Sequence, residues 1–282
     1  MVHLWKWNFN TCIRKISNSS NDFNKQSDNR YKVHAIPALQ DNYMYLMTDK
    51  FLNIGIAVDP VEPEKLMKVI ESEKVNLEAV LTTHHHFDHA GGNVAISQMV
   101  KNLPIYGGDE RIDAVTHMLS HDETLKLGDL IIKCLHTPCH TSGHLCYFVE
   151  KTDSDPVCFT GDTLFVGGCG RFFEGSAADM LKSLNILAAL PLNTKVYCGH
   201  EYTTGNLKFA LSVEPDNSDA LSKLKKVEEG LKQNKPSVPS TIGEELLYNP
   251  FLRTDNKTLQ LLTKKTDPIE VMAALRKLKD HF

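Results

Sequence analysis

Between residues 31 and 202 the hydrophobic positions fall in short runs broken by turn residues. Residues 31–36, 43–47 and 54–58 read as strands, with a turn at Gln40-Asp41-Asn42 between the first two. Residues 63–73 read as a helix, with Pro63 near its start and Leu66, Met67 and Ile70 on one face. Residues 77–83 form a buried strand by the same reading, and a second helix begins at Asn93 and runs to Val100. Further strands are predicted at 130–132, 145–149, 157–159 and 195–198, and a helix at 177–189. Strands and helices alternate without a strict βαβ period, which favours stacked layers with helices outside a β core.

After about Tyr202 the strand pattern stops. Residues 218–232 carry Leu221, Leu224, Val227 and Leu231 on one helical stripe, with Lys and Glu elsewhere. Thr241-Ile242-Gly243-Glu244 fits a capping box, and Asp267-Pro268 with Glu270 is a helix start. Residues 203–282 therefore read as a small helical domain packed on the β-rich part, residues 31–202. Residues 1–30 differ from both. They hold Lys6, Arg14, Lys15, Lys25 and Arg30, much Asn and Ser, and no acid before Asp22. That composition suits either a mitochondrial transit peptide or an unstructured tail, and it lacks the apolar centre of a secretory signal.

Composition narrows the function classes. The chain has 282 residues, 41% of them hydrophobic and 23% charged, ordinary values for a globular protein. No apolar stretch reaches the length of about 18 residues that a membrane span needs. The net charge of −4 gives no basic field for nucleic acid. The seven cysteines, an odd number without CxxC pairing, argue against a disulfide framework and for a reducing compartment. Histidine is the unusual component, at 13 residues, several of them crowded into short strings.

The most telling string is Leu81-Thr82-Thr83-His84-His85-His86-Phe87-Asp88-His89-Ala90-Gly91-Gly92, between a hydrophobic strand and a helix. In an extended segment His84 and His86, two apart, point the same way, and His85 points away as a non-ligand. Asp88 and His89 follow the bend into the helix and can face a second point nearby. Imidazole and carboxylate suit zinc, iron or manganese. Downstream, His140, Asp162 and His200 each follow a hydrophobic run and a small or turn residue, a usual place for a site residue. Asp59, after a buried strand, reads equally as an orienting partner of a ligand histidine or as a turn aspartate. Cys139 and Cys198 sit near these positions but read as small buried residues.

The strings THHHFDHAGG, TPCHTSGH, FTGDTLF, GCGRFFEG and CGHEYT, in that order, resemble the metallo-β-lactamase superfamily. With YNPF at 248–251 and the terminal RKLKD, the chain from about Tyr31 to Phe282 is similar more narrowly to glyoxalase II, the hydroxyacylglutathione hydrolase family. The resemblance implies an α+β fold, a four-layer αββα metallo-β-lactamase sandwich followed by a small all-α C-terminal domain. It implies two divalent ions, zinc first with iron or manganese as alternatives. His84, His86 and His140 would hold one ion, Asp88, His89 and His200 the other, and Asp162 would bridge them.

The implied reaction is hydrolysis of S-D-lactoylglutathione, or another S-2-hydroxyacylglutathione, to glutathione and a 2-hydroxy acid such as D-lactate, in methylglyoxal detoxification. A hydroxide bridging the metals, held by Asp88 and Asp162 among others, would attack the thioester carbonyl. The thiolate leaving group needs no strong general acid. The resemblance further implies substrate contacts from His200, Tyr202 and the basic pair Arg276 and Lys279, which lie three apart on one helix face. Arg171 stands where the family usually has Lys, and Phe173 where some members have Tyr. Arg keeps the charge but changes the geometry, and Phe lacks the hydroxyl contact. The alternative within the superfamily is a mononuclear-iron glutathione persulfide dioxygenase, which shares HxHxDH but not the helical domain. The expected protein is a monomer without nucleic-acid or membrane partners, in the mitochondrial matrix or the cytoplasm.

Overall fold

In the second strand Tyr43, Tyr45 and Met47 face one side and Met44 and Leu46 the other, and both sides are buried. A strand apolar on both faces must be covered on both, and that requirement sets the architecture. The computed structural model describes residues 30–150 and 155–282. The targeting expectation for residues 1–30 falls almost wholly outside them.

The first sheet runs in the order β1 (Tyr31–Ala38), β2 (Asn42–Asp49), β3 (Ile54–Val58), β4 (Asn76–Leu81), β5 (Ile105–Gly107) and β6 (His117–Met118). The first three are antiparallel neighbours, and β3 to β6 are parallel. Parallel pairing needs crossovers. Here α1 (Pro63–Glu73) links β3 to β4, and the short α2 (Phe87–Ala90) with α3 (Asn93–Met99) links β4 to β5.

The second sheet is built from β7 (Thr124–Leu127), β8 (Leu130–His136), β9 (Leu145–Glu150) and β10 (Val157–Gly161). A small hairpin, β11 (Leu164–Phe165) and β12 (Gly168–Cys169), and helix α4 (Ala177–Ala188) then lead to β13 (Lys195–Cys198), parallel to β10. Between the sheets Tyr45, Met47, Val58 and Leu81 meet Ile132, Tyr147, Val149 and Phe159. On the outer face of the first sheet Met44, Leu46 and Val80 pack on Leu66, Ile70 and Ile96. On the outer face of the second, Cys146, Phe148, Cys158 and Val196 pack on Met180, Leu184 and Leu187. The result is the expected four-layer αββα order.

Helices α5 (Thr203–Val213), α6 (Ser218–Leu231), α7 (Ile242–Tyr248), α8 (Lys257–Thr263) and α9 (Pro268–Asp280) follow. Phe209, Phe251, Val271, Met272 and Leu275 join the same cluster as α4, so the C-terminal helices share an apolar core with the sandwich. The predicted capping box is present, with Glu244 N donating to Thr241 Oγ1 at 3.1 Å and Thr241 N donating to a Glu244 carboxylate oxygen at 3.0 Å. Asp267 caps α9 through Ile269 N and Glu270 N. The sequence reading missed several elements, among them β5, β6, β7, the β11–β12 hairpin, α5 and α8. Residues 240–241 form a short strand, β14, that pairs with β13 and closes the edge of the second sheet. Two residues are too few to show an alternation. Helix α5 lacks a side-chain cap at Tyr202, which removes its start signal.

Phe159 is 1% exposed in the inter-sheet core, 5.4 Å from the Tyr45 ring. Phe159→Ala is expected to lower unfolding free energy by about 3–5 kcal/mol, measured by urea denaturation.

Candidate metal centre

Four chain segments meet at one edge of the sandwich: the segment after β4, the β8–β9 loop, the turn after β10 and the end of β13. Backbone hydrogen bonds stitch the two sheets together there. Leu145 N donates to Thr83 O at 2.9 Å, Tyr43 N to Gly199 O at 2.8 Å, and Glu201 N to Asp41 O at 2.7 Å. These bonds fix the loops relative to one another.

Beyond β4 the chain bends at His85, and the backbone of His86 is in the β region as α2 begins. His84 and His86 project to one side, with His84 Nε2 3.0 Å from His86 Nδ1. The β8–β9 loop brings His140 Nε2 to 3.1 Å from the same His86 nitrogen. The first turn of α2 aims Asp88 and His89 elsewhere. There His200 Nε2 lies 3.3 Å from His89 Nε2 and 3.4 Å from Asp88 Oδ2. Asp162 stands between the two groups: Oδ2 is 3.3 Å from both His140 Nε2 and His200 Nε2, and Oδ1 is 3.3 Å from His89 Nε2. Three sets of ligand atoms (His84, His86, His140; His84, His89, Asp162; Asp88, His89, His200) each lie within 4.8 Å of one another, close enough to bind metal ions.

The distal nitrogens of four imidazoles are held by the surrounding chain, which fixes ring orientation. His89 Nδ1 is 2.9 Å from Asp59 Oδ2, and His200 Nδ1 is 2.8 Å from Asp41 Oδ1. His140 Nδ1 is 3.1 Å from the Arg171 carbonyl, and His84 Nδ1 is 3.0 Å from Thr83 Oγ1. Asp59 thus fills both roles left open by the sequence. It sits in a turn with φ +49°, and its carboxylate also accepts from Thr83 N and Thr83 Oγ1 at 2.8 and 2.7 Å. Asn42 Nδ2 donates to Asp88 Oδ2 at 3.0 Å. Asp162 N donates to His144 Nε2 at 3.1 Å. Gly161 has φ +46°, and a Cβ there would lie 2.7 Å from both Thr83 Oγ1 and His144 Nε2. Asp41, Asn42, Thr83 and His144 escaped the sequence reading because their signals, a turn for the first two and a place beside stronger candidates for the others, are generic.

Burial, followed by the neighbouring imidazoles, pushes His84 and His86 down, and burial also lowers His140. These rings are neutral and offer lone pairs. Burial opposes charge on His200 as well, but Asp162, Asp88 and Asp41 outweigh it and push it up to about 11. Burial alone would raise Asp162, yet His89 and His200 hold its carboxyl well below the usual range. Asp162 Oδ1 is buried without a hydrogen-bond donor. An acceptor of that kind among converging imidazole nitrogens fits a divalent cation, and the His/Asp donor set fits zinc, iron or manganese. His85 lies apart, as expected, 3.4 Å from Asp109. Cys139 and Cys198 are fully buried, with burial pushing each thiol up to about 12, so neither is a poised nucleophile.

The cluster opens into a cavity of about 750 Å³ lined also by Arg171, Phe173, Tyr202, Arg276 and Lys279. Tyr202 stacks on His200 at 4.6 Å with an interplanar angle of 3°. Phe173, 61% exposed, packs at 5.1 Å from His140 and 5.9 Å from His86. Arg276 does not lie on a solvated helix face: it is 8% exposed and donates from Nη1 to Cys169 O at 3.1 Å. Lys279 Nζ donates to Gly205 O at 3.2 Å and lies over the rings of Phe209 and Phe282. Asp280 pairs with Arg276 at 2.9 Å and with Arg171 at 3.6 Å.

Fold and site together define a metal-binding protein of the αββα class, and residues 56–200 match the metallo-β-lactamase superfamily. Residues 201–282 match the hydroxyacylglutathione hydrolase C-terminus. The chain is 48% identical to the hydroxyacylglutathione hydrolase-like protein of Gallus gallus, over 89% of this chain and 90% of that one. It is 47% identical to the cytoplasmic hydroxyacylglutathione hydrolase of Arabidopsis thaliana, over 89% and 99% respectively. The chain belongs to the hydroxyacylglutathione hydrolase family of that superfamily. Solved structures share the fold at lower identity. ETHE1 from Myxococcus xanthus has a TM-score of 0.65 at 22% identity, covering 88% of this chain and 91% of its own. The BLEG-1 B3 metallo-β-lactamase has a TM-score of 0.58 at 24% identity, covering 79% and 100%. Among the described residues no helix is long and apolar enough to cross a membrane.

Gly199 is required by close approach. A Cβ there would lie 2.3 Å from Asp162 Oδ1 and 2.7 Å from His89 Cε1. Gly199→Ala is expected to lose at least half of the bound metal, by elemental analysis, with an unchanged far-UV circular dichroism spectrum.

Proposed function

We propose that the protein hydrolyses S-2-hydroxyacylglutathione thioesters, S-D-lactoylglutathione foremost, to glutathione and the 2-hydroxy acid. The observation that carries this reading is one cavity that joins a buried His/Asp cluster to the cations of Arg276 and Lys279. Membership of the hydroxyacylglutathione hydrolase family supports it. In this reading His84, His86 and His140 would hold one divalent ion, zinc foremost, Asp88, His89 and His200 would hold a second, and Asp162 would serve both. Bound there, the pair supplies an activated water and a Lewis acid for the thioester carbonyl.

The chain's own residues do the rest. Asp59, Asp41 and the Arg171 carbonyl keep the distal protons of His89, His200 and His140 in place, so the opposite nitrogens stay directed inward. Tyr202 braces the His200 ring. Arg276 and Lys279 receive the glutathione carboxylates, as charge-assisted partners. The departing thiolate, with a conjugate-acid pKa near about 8.5, leaves without a protein acid. Residues 31–202 thus supply the chemistry, and residues 203–282 supply the cations that select the substrate. The enzyme acts in the mitochondrial matrix if residues 1–30 serve as a targeting segment, and in the cytoplasm otherwise.

Hydrolysis of S-D-lactoylglutathione, followed by loss of thioester absorbance, tests the reading directly. Asp162→Ala or His86→Ala is expected to cut kcat at least a thousandfold with the fold intact, and near-normal turnover in either variant would refute the assignment. Lys279 sits in a partly buried site whose desolvation, followed by the charge of Arg276, brings its pKa down to about 8. Its ammonium is present below that pH and lost above it. KM is therefore expected to climb above about pH 8 in the native enzyme. Lys279→Ala should raise KM about tenfold at neutral pH, with little change in kcat, and should abolish the climb.

A further inference from the structure

Outside the cavity, Arg111 makes an unusually complete set of contacts. Its guanidinium donates from Nε to Asp109 Oδ1 at 2.9 Å and from Nη2 to Asp109 Oδ2 at 2.6 Å. The same group donates to both oxygens of Glu174, from Nη1 at 2.7 Å and from Nη2 at 2.8 Å, and from Nη2 to Ser142 Oγ at 3.0 Å. Glu174 Oε2 also accepts from Ser142 N and Ser142 Oγ at 2.7 and 2.8 Å, and Glu174 N donates to Cys139 O at 3.0 Å. Asp109 Oδ2 is 3.4 Å from His85 Nδ1, and Glu174 Oε1 is 3.9 Å from His85 Nε2. The fork therefore ties together three segments far apart in sequence. They are the histidine string at His85, the β8–β9 loop on both sides of His140, and residues 171–174.

Each of those segments carries something the first metal group needs. His85 lies between His84 and His86. His140 follows Cys139, and its Nδ1 proton goes to the Arg171 carbonyl. Phe173, next to Glu174, packs on His86 and His140. Nothing in the fork touches Asp59, Asp41 or Asn42, which serve Asp88, His89 and His200. An isolated exposed ion pair contributes little, but a bidentate Arg joined to two carboxylates and a loop hydroxyl forms a network, where geometry rather than charge decides the effect.

We propose that Arg111 is a positioning residue that fixes His86 and His140 for one of the two metal sites and leaves the other untouched. The proposal rests on reading the seven side chains as ligands of two ions. It is tested by titrating chelator-treated, full-length protein with cobalt(II) in competition with a chromophoric chelator, following the cobalt visible bands. The native protein is expected to take up two equivalents. Arg111→Met should weaken one of them about tenfold, the range found when groups that orient metal ligands are removed, and leave the second within about twofold. Arg111→Lys keeps the charge but not the fork, and should behave like Arg111→Met. Glu174→Gln breaks the same fork from the other side and should weaken the same equivalent, which keeps the test open if one variant folds poorly. Native-like binding of both equivalents in Arg111→Met and Glu174→Gln would overturn the proposal. So would equal weakening of both equivalents, or full rescue by lysine. If the native protein itself takes up no cobalt, the metal reading fails first, a result distinct from any of these.

Discussion

Five imidazoles and two carboxylates gathered at one edge of a β sandwich create a charge problem that everything nearby must respect. Each imidazole has two nitrogens, and only one can be offered inward. The outer nitrogens of His84, His89, His140 and His200 are therefore occupied by Thr83, Asp59, the Arg171 carbonyl and Asp41. Those partners sit on four different loops, and the five imidazoles and Asp162 themselves follow strands of both sheets. Seating the cluster thus requires the two sheets to be joined at that edge, as the backbone bonds from Leu145, Tyr43 and Glu201 join them. Asp162 has the least freedom. Its backbone follows Gly161 in a left-handed conformation and its side chain lies against Gly199, so both neighbouring positions must lack a Cβ.

The C-terminal helices belong to this arrangement through packing. Phe251 and Met272 share a core with Met180 and Leu184 of α4, and β14 completes the second sheet. Shared burial of this kind holds α9 against the sandwich at a fixed angle, so that Arg276 and Lys279 face a cavity formed mostly by loops of the other region. Arg276 is bound to the Cys169 carbonyl on β12, which anchors the cationic wall to the hairpin next to the metal cluster. Family membership and cavity chemistry therefore point the same way, toward an anionic thioester presented to a buried His/Asp cluster.

Much of this was legible in the linear chain. The short apolar run at 43–47 specified a strand, and the stripes on 66–70 and 218–232 specified helices. The caps at Thr241 and Asp267 were readable because each uses a local hydrogen bond within three residues. Helix α5 was not, because no side chain caps it. His84, His86, Asp88 and His89 were readable because two short-range patterns, a segment leaving a strand and then a helical turn, fix where neighbouring side chains point.

Residue type and local spacing thus determined a β core with helices outside it and the His/Asp chemistry of the string at 84–89, whereas the four-layer order, the full His/Asp set and the basic pair at 276 and 279 were legible only through the family resemblance. Only the tertiary structure decided which groups orient those ligands. Asp41, Asn42 and Arg111 act on residues from 46 to 159 positions away or through loops distant in sequence, and no local pattern encodes a contact made across two sheets. Asp59 marks the boundary between the two kinds of information. Its turn is a property of Val58-Asp59-Pro60, but its hold on His89 exists only because α2 folds back over that turn.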